Sequence, residues 1–143
     1  MSVLSTNEVV DAARLRLALT RVLRALRRQG GSTLSATQVS ALSTNEDIGP
    51  LRISDIAAQE SLCAPAATRV VADLEAQGLV ERAIDPIDKR ASLIELSALG
   101  RATMSNLWSQ RTLEINRMLE KLTPKERATI EAALPALEKI ARD

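Results

Sequence analysis

Apolar residues recur at helical spacing over the first part of the chain: Ala12, Leu15, Leu19, Val22, Leu23 and Leu26 fall within an arc of about 100°. This pattern predicts an amphipathic helix from Asn7 to Gln29, stopped by Gly30-Gly31. Arg14, Arg21 and Arg28 form a second, basic stripe along it, which suits a solvated face as well as a nucleic-acid or partner surface. Ser35 followed by Gln38, with Leu34 and Val39 placed as a hydrophobic staple, starts a second helix. Asn45 to Pro50 reads as a turn, and Ile53, Ile56 and Ala57 give a short third helix its apolar face. A fourth helix runs from Ala64 to Gln77, with Pro65 in its first turn and Gly78 closing it.

The period then changes. Leu79–Ile84 and Ala91–Leu96 are short strand candidates joined by a charged six-residue tip, Asp85 to Arg90, and together predict a hairpin. Ser97 caps a fifth helix reaching about Lys121. Met104, Trp108, Ile115, Met118 and Leu122 follow heptad-like spacing along it, with Arg111 interrupting. Thr123, Pro124 and Glu126 open a sixth helix through Ile140, with a kink expected at Pro135. Three helices followed by a hairpin describe a winged helix-turn-helix, in which one exposed helix enters the major groove and the hairpin meets the neighbouring backbone or minor groove. The predicted fold is therefore mainly α: a winged helix-turn-helix lobe over 34–96, flanked by a helical dimerisation region over 1–33 and 97–143.

Composition narrows the chemistry. With 143 residues, 45% of them hydrophobic and 26% charged, one soluble folding unit is expected. The first eleven residues hold neither a basic start nor an apolar stretch, and no apolar run could span a bilayer, so the expectation is a cytoplasmic protein. Histidine is absent and Cys63 is the single cysteine. An intramolecular disulfide, the commonest zinc-ligand sets and histidine-based catalysis are thereby excluded, and neither cofactor nor metal is expected. The five glycines are scattered and form no phosphate loop, while the 18 carboxylates suit a solvated helical surface, so the chain does not read as an enzyme.

Charge runs against a simple DNA reading. Residues 51–96 hold five basic and eight acidic side chains, so the segment expected to read DNA is net acidic. DNA binding must rest on where individual charges point. The outward face of the fourth helix, Pro65, Thr68, Arg69, Ala72 and Ala76, is mostly small, which suits close approach to a partner.

Particular residues also match a family. Arg52-Ile53-Ser54-Asp55-Ile56-Ala57, Ala67-Thr68-Arg69-Val70-Val71 and Leu74-Glu75-Ala76-Gln77-Gly78-Leu79-Val80-Glu81-Arg82 resemble the helix-turn-helix core of the MarR regulators. Asp88-Lys89-Arg90-Ala91, with Leu96-Ser97 and Gly100, is similar to that family's wing and the start of its long helix. The match is close over residues 51–100. The resemblance implies a transcription regulator, commonly a repressor, that binds double-stranded DNA at a pseudo-palindromic operator as a homodimer joined through the first helix and the last two. It further implies release by a small phenolic or lipophilic ligand or by an oxidant. Thr68 and Arg69 match recognition-helix contacts and Arg90 matches the wing arginine, whereas Ala66 stands where a hydroxyl residue is common.

The candidate DNA-binding residues are Arg52, Pro65, Ala66, Thr68, Arg69, Ala72, Lys89 and Arg90. An arginine can grip guanine O6 and N7 with two hydrogen bonds, and a threonine can meet thymine with its hydroxyl or methyl. Two alternatives stay open for Arg69, a phosphate contact or a pair with Asp73 four residues on. Lys89 and Arg90 are either a solvated tip or groove contacts, with Asp85 and Asp88 near enough to orient Arg90. Cys63, at the start of the fourth helix, fits a small buried side chain or an oxidation-sensitive thiol. The buried reading is preferred, since oxidation-sensing relatives use a cysteine near the chain start and tyrosine partners absent here. Met104 and Trp108 are candidate ligand-binding residues, with core or dimer interface as the plainer reading. A winged-helix scaffold that binds a protein and not DNA is the alternative function.

Overall fold

The structure is a computed structural model that describes residues 9–29 and 31–142. Its elements are α1 (Ala12–Gln29), α2 (Ala36–Ile48), β1 (Leu51–Arg52), α3 (Ile53–Gln59), α4 (Ala64–Ala76), β2 (Val80–Ile84), β3 (Ser92–Leu96), α5 (Ala98–Glu120) and α6 (Pro124–Ile140). This is the winged helix-turn-helix with flanking helices that the periodicity predicts. Among the described residues no helix is long and apolar enough to cross a membrane.

Local chemistry sets most boundaries. Asp11 accepts a hydrogen bond from the Arg14 amide at 3.0 Å and starts α1 there, five residues later than the apolar pattern suggests. Asn7 and Glu8, the first residues of the predicted helix, lie outside the described residues. Ser35 with Gln38 and Thr123 with Glu126 are reciprocal capping boxes, as their spacing predicts. Gly78, at φ 73°, ends α4 in the left-handed conformation. Ser61 takes the same conformation (φ 52°) in the tight connection from α3 to α4, so the helix-turn-helix corner is made without glycine. α6 continues across Pro135 to Ile140.

Two expectations need correction. The turn expected over Asn45–Pro50 is mostly helix, since α2 runs on to Ile48 before Gly49, at φ 97°, breaks it. Asn45 is buried: its amide nitrogen donates to the Ile94 carbonyl at 2.7 Å and its oxygen accepts from the Leu96 amide at 3.0 Å. A side chain thus occupies the place of one more strand residue on β3. The second omission is β1, which pairs antiparallel with β3 through Leu51↔Ile94 and Arg52↔Leu93, giving a three-stranded sheet ordered β1-β3-β2.

The core lies between α2, α3, α4, the sheet and the first half of α5, with Leu42, Ile56, Val71, Leu74, Ile94 and Met104 fully enclosed. Each such side chain contributes about 1.5–3 kcal/mol of burial, so the lobe has its own core. The flanking helices differ. α1 buries Leu26, whereas α6 buries no residue and leaves Ile130, Leu134 and Ile140 exposed. α5 begins against the sheet, with Gly100 pressed on the Leu79 carbonyl.

Candidate nucleic-acid interface

The outer surface of α4 is built by what lies beneath it. Ala67, Val71 and Leu74 are buried, which turns Pro65, Thr68, Arg69, Ala72 and Ala76 to the outside; Ala66 is half-buried. Thr68 donates its hydroxyl hydrogen to the Ala64 carbonyl at 3.0 Å, leaving the oxygen lone pairs and the methyl for a partner. Arg69 forms no ion pair among the described residues, and the alternative pair with Asp73 is not formed. It borders a surface groove of about 460 Å³ that also touches Ser35 and Thr37 at the start of α2.

Cys63 is the N-cap of α4 and is exposed, contrary to the buried reading, and its side chain makes no capping bond. Pro65 in the first turn and the Cys63 carbonyl bonded to the Ala67 amide fix the helix start, so the thiol is left at the surface.

The wing is held by a single buried carboxylate. Asp85 accepts from the Ile87 amide at 2.9 Å with one oxygen, and with the other it takes both Arg52 Nε, at 2.7 Å, and Nη2. The Ile87 amide and the Arg52 guanidinium hold its carboxyl below the ordinary carboxylate value, and Asp85 in turn raises the Arg52 guanidinium above its own. Arg52, counted among the DNA-binding candidates, is thus engaged as a brace between β1 and the wing, and its side chain is 38% exposed. Asp85 does not orient Arg90 as expected; Asp88 fixes the Arg90 backbone, accepting from its amide at 3.0 Å. The Lys89 and Arg90 side chains stand exposed at the tip, with no ion pair among the described residues.

These pairings take up part of the acidic balance of residues 51–96. Glu75 pairs with Arg82 at 2.7 Å, Glu95 with Arg101 at 3.4 Å and Asp85 with Arg52, while Glu60 accepts from Thr44 at 2.7 Å. Asp55 and Asp88 accept from backbone amides. Six of the eight carboxylates are thus engaged within the lobe, while Asp73 and Glu81 have no side-chain partner among the described residues; Arg69, Lys89 and Arg90 remain available at the helix face and the wing tip.

The two candidate ligand residues part company. Met104 is enclosed in the core and lines none of the surface cavities described here. Trp108 lines a cavity of about 190 Å³ between α1, α2 and α5, together with Arg27, Ser40, Ser43, Thr44 and Arg111. Its indole N–H donates to Glu46 at 3.0 Å, and the Arg111 guanidinium lies 5.3 Å above its ring. Arg111 Nε is buried without a partner among the described residues, and burial, followed by the charge of Arg27, lowers the guanidinium's pKa below its ordinary value. The sequence shows these residues only as members of three separate helices.

Residues 34–92, the winged lobe, match the MarR family. An uncharacterized HTH-type transcriptional regulator of Mycobacterium bovis is 34% identical over 123 residues, covering 85% of this chain and 86% of the relative. Another, from Bacillus subtilis, is 26% identical over 106 residues, covering 74% of this chain and 66% of the relative. Among solved structures, a transcriptional regulator protein from Pseudomonas aeruginosa is similar over 98% of this chain and 99% of its own, with TM-score 0.83 and 26% identity. A mutant MarR from Escherichia coli shares the fold over 91% of this chain and 98% of its own, with TM-score 0.77 and 24% identity. The lobe, the exposed cations on α4 and the wing tip, and these likenesses agree: the chain belongs to the MarR family of DNA-binding transcription regulators, and not to a family of enzymes.

Proposed function

We propose that this regulator binds a pseudo-palindromic operator as a homodimer, with Arg69 and Thr68 of α4 reading bases in the major groove and Lys89 and Arg90 anchoring the wing on backbone and minor groove. The observation that carries this is that Arg69, Lys89 and Arg90 form no ion pair among the described residues, while Glu75, Asp85 and Glu95 are each paired with another arginine. Small residues at Pro65, Ala66 and Ala72 permit close approach of the helix, and Arg52 contributes through the wing it braces. Dimerisation is supported by the apolar side chains left exposed on the flanking helices, Leu19, Val22 and Leu23 on α1 and Ile130, Leu134 and Ile140 on α6. A two-fold dimer presents two α4 helices to successive major-groove turns, hence the two-fold operator.

Contacts to bases specify, and contacts to backbone supply affinity. Arg69→Ala is expected to cost about 1–3 kcal/mol on the preferred duplex and to relax selectivity at one base position per half-site. Arg90→Ala should weaken binding to preferred and scrambled duplexes alike and lower the salt slope by about 0.9 per subunit. Titrations over a salt series, on a duplex selected from a random pool, check both, with the free protein sedimenting at twice its 15.5 kDa chain mass. DNA binding that is absent or insensitive to salt would overturn the reading in favour of a winged-helix scaffold for a protein partner.

The regulator acts as a repressor released when a small organic anion with an aromatic body enters the cavity beside Trp108. Support comes from the unpartnered Arg111 Nε, the nearby Arg27 charge and the Ser40, Ser43 and Thr44 side chains around the indole. Trp108 is the chain's single tryptophan, so its fluorescence reports occupancy directly. Benzoate is expected to change the emission saturably in the parent protein and not in Arg111→Gln, with benzyl alcohol giving no saturable change. Equal responses to the acid and the alcohol would overturn the anion assignment.

A further inference from the structure

We infer that Ile87, at the tip of the wing, is a further DNA-reading residue that selects A·T over G·C pairs beneath it by probing the minor-groove floor. The inference rests on the proposed placement of the wing in the minor groove. Ile87 is 92% exposed, more than any other large apolar side chain given for the described residues. A single exposed apolar residue is ordinary on a protein surface. Ile87 differs in how firmly its backbone is held. Its amide is tied to Asp85, and Asp85 is clamped by Arg52. The other side of the tip is closed by bonds from the Arg90 and Ala91 amides to Asp88 and from the Asp85 amide to Ala91. Pro86 precedes Ile87 with a ring-locked φ, and a β-branched side chain has few rotamers to lose.

The cations that bring this tip to DNA lie two and three positions on, at Lys89 and Arg90. An apolar side chain so delivered meets a groove whose floor distinguishes base pairs chiefly by the guanine N2 amino group. Over an A·T pair, Ile87 packs on a floor without that donor. Over G·C it strips water from an amino group and offers it no acceptor, which is unfavourable. Arg90 favours a narrow groove through charge; Ile87 adds a test of the floor itself.

Three duplexes decide the matter. Each carries the selected operator with A·T, inosine·cytosine or G·C at the pair under the wing, located by the minor-groove hydroxyl-radical protection that the parent protein gives on the operator. Inosine lacks only the N2 amino group of guanine, so the second and third duplexes present the same major-groove edge. The parent protein is expected to bind A·T and inosine·cytosine alike and G·C about fivefold more weakly. Ile87→Ser should reduce that discrimination to less than about twofold, whereas Arg90→Ala should lower affinity for all three while leaving the discrimination in place. Discrimination unchanged in Ile87→Ser, or absent in the parent, overturns the role of Ile87 even where binding is otherwise salt-sensitive. Failure of the parent to bind any of the three would instead overturn the DNA-binding mode on which the inference rests.

Discussion

Gly100→Ala is expected to destabilise the protein by upwards of about 3 kcal/mol, lowering the melting temperature by about 10 °C at matched protein concentration. Gly100 lies in the first turn of α5, and a Cβ built there would stand 2.0 Å from the Leu79 carbonyl oxygen and 2.9 Å from Leu96 Cδ2. The nearer atom is backbone and cannot swing aside. It also accepts the Ser97 amide at 3.0 Å, so moving α5 away sacrifices that bond, together with the bond from the Ser97 hydroxyl to the Gly78 carbonyl. Gly78→Ala provides a scale. There the new methyl would meet only Leu99 Cδ2, at 3.7 Å, and the left-handed backbone sets a cost of about 1 kcal/mol. Chemical denaturation of the two variants should therefore give clearly unequal losses, and equal midpoints would show that α5 is not seated on Leu79 as described.

Asn45→Leu should cost about 2–5 kcal/mol although the two side chains share the same branched outline. The change leaves the Leu96 amide in the interior without a partner, at about 1–3 kcal/mol, takes one of two bonds from the Ile94 carbonyl, and adds bulk to a closed site, at about 1–3 kcal/mol more. Because those groups belong to β3, amide exchange gives a readout that packing loss elsewhere would not. Leu96 should exchange much faster in the variant, while amides in the middle of α5 keep their order of protection. An unchanged Leu96 exchange rate would mean that Asn45 does not serve as a strand neighbour.

Asn45 also marks where sequence reading ends. Asn45-Glu46-Asp47 and Gly49-Pro50 carry the local chemistry of a turn, and local chemistry was right for Gly49 and Pro50 alone. The helix persists because Asn45 is bound to residues 49 and 51 positions away, which no spacing rule displays. The same holds for Arg52 with Asp85, 33 apart, and for Trp108 with Glu46, 62 apart. By contrast, the starts of α2 and α6, the hairpin and the outward face of α4 were legible, since capping boxes and helical period act within a few residues. Cys63 was placed correctly at the head of α4 and wrongly in the interior: position along a helix is a local property, burial is not. Acidic composition likewise hid the interface, because a sum over residues 51–96 does not show which carboxylates are already paired.

The recognition helix and the wing are each fastened to the rest of the lobe by a charged strut, Glu75 to Arg82 at the end of α4 and Asp85 to Arg52 at the base of the tip. Both struts converge on one three-stranded sheet, so the two reading heads share a chassis. Under the proposed two-fold mode, a signal arriving through α5 would therefore change where a lobe stands and not what it reads. In a two-lobed regulator, control of that kind alters the spacing between half-sites: occupancy of every operator falls together, while the ranking of sequences within a half-site is preserved. On that proposal, tuning the response and tuning the target would be separable, and mutations on α5 would reset sensitivity without redirecting the protein to other sequences.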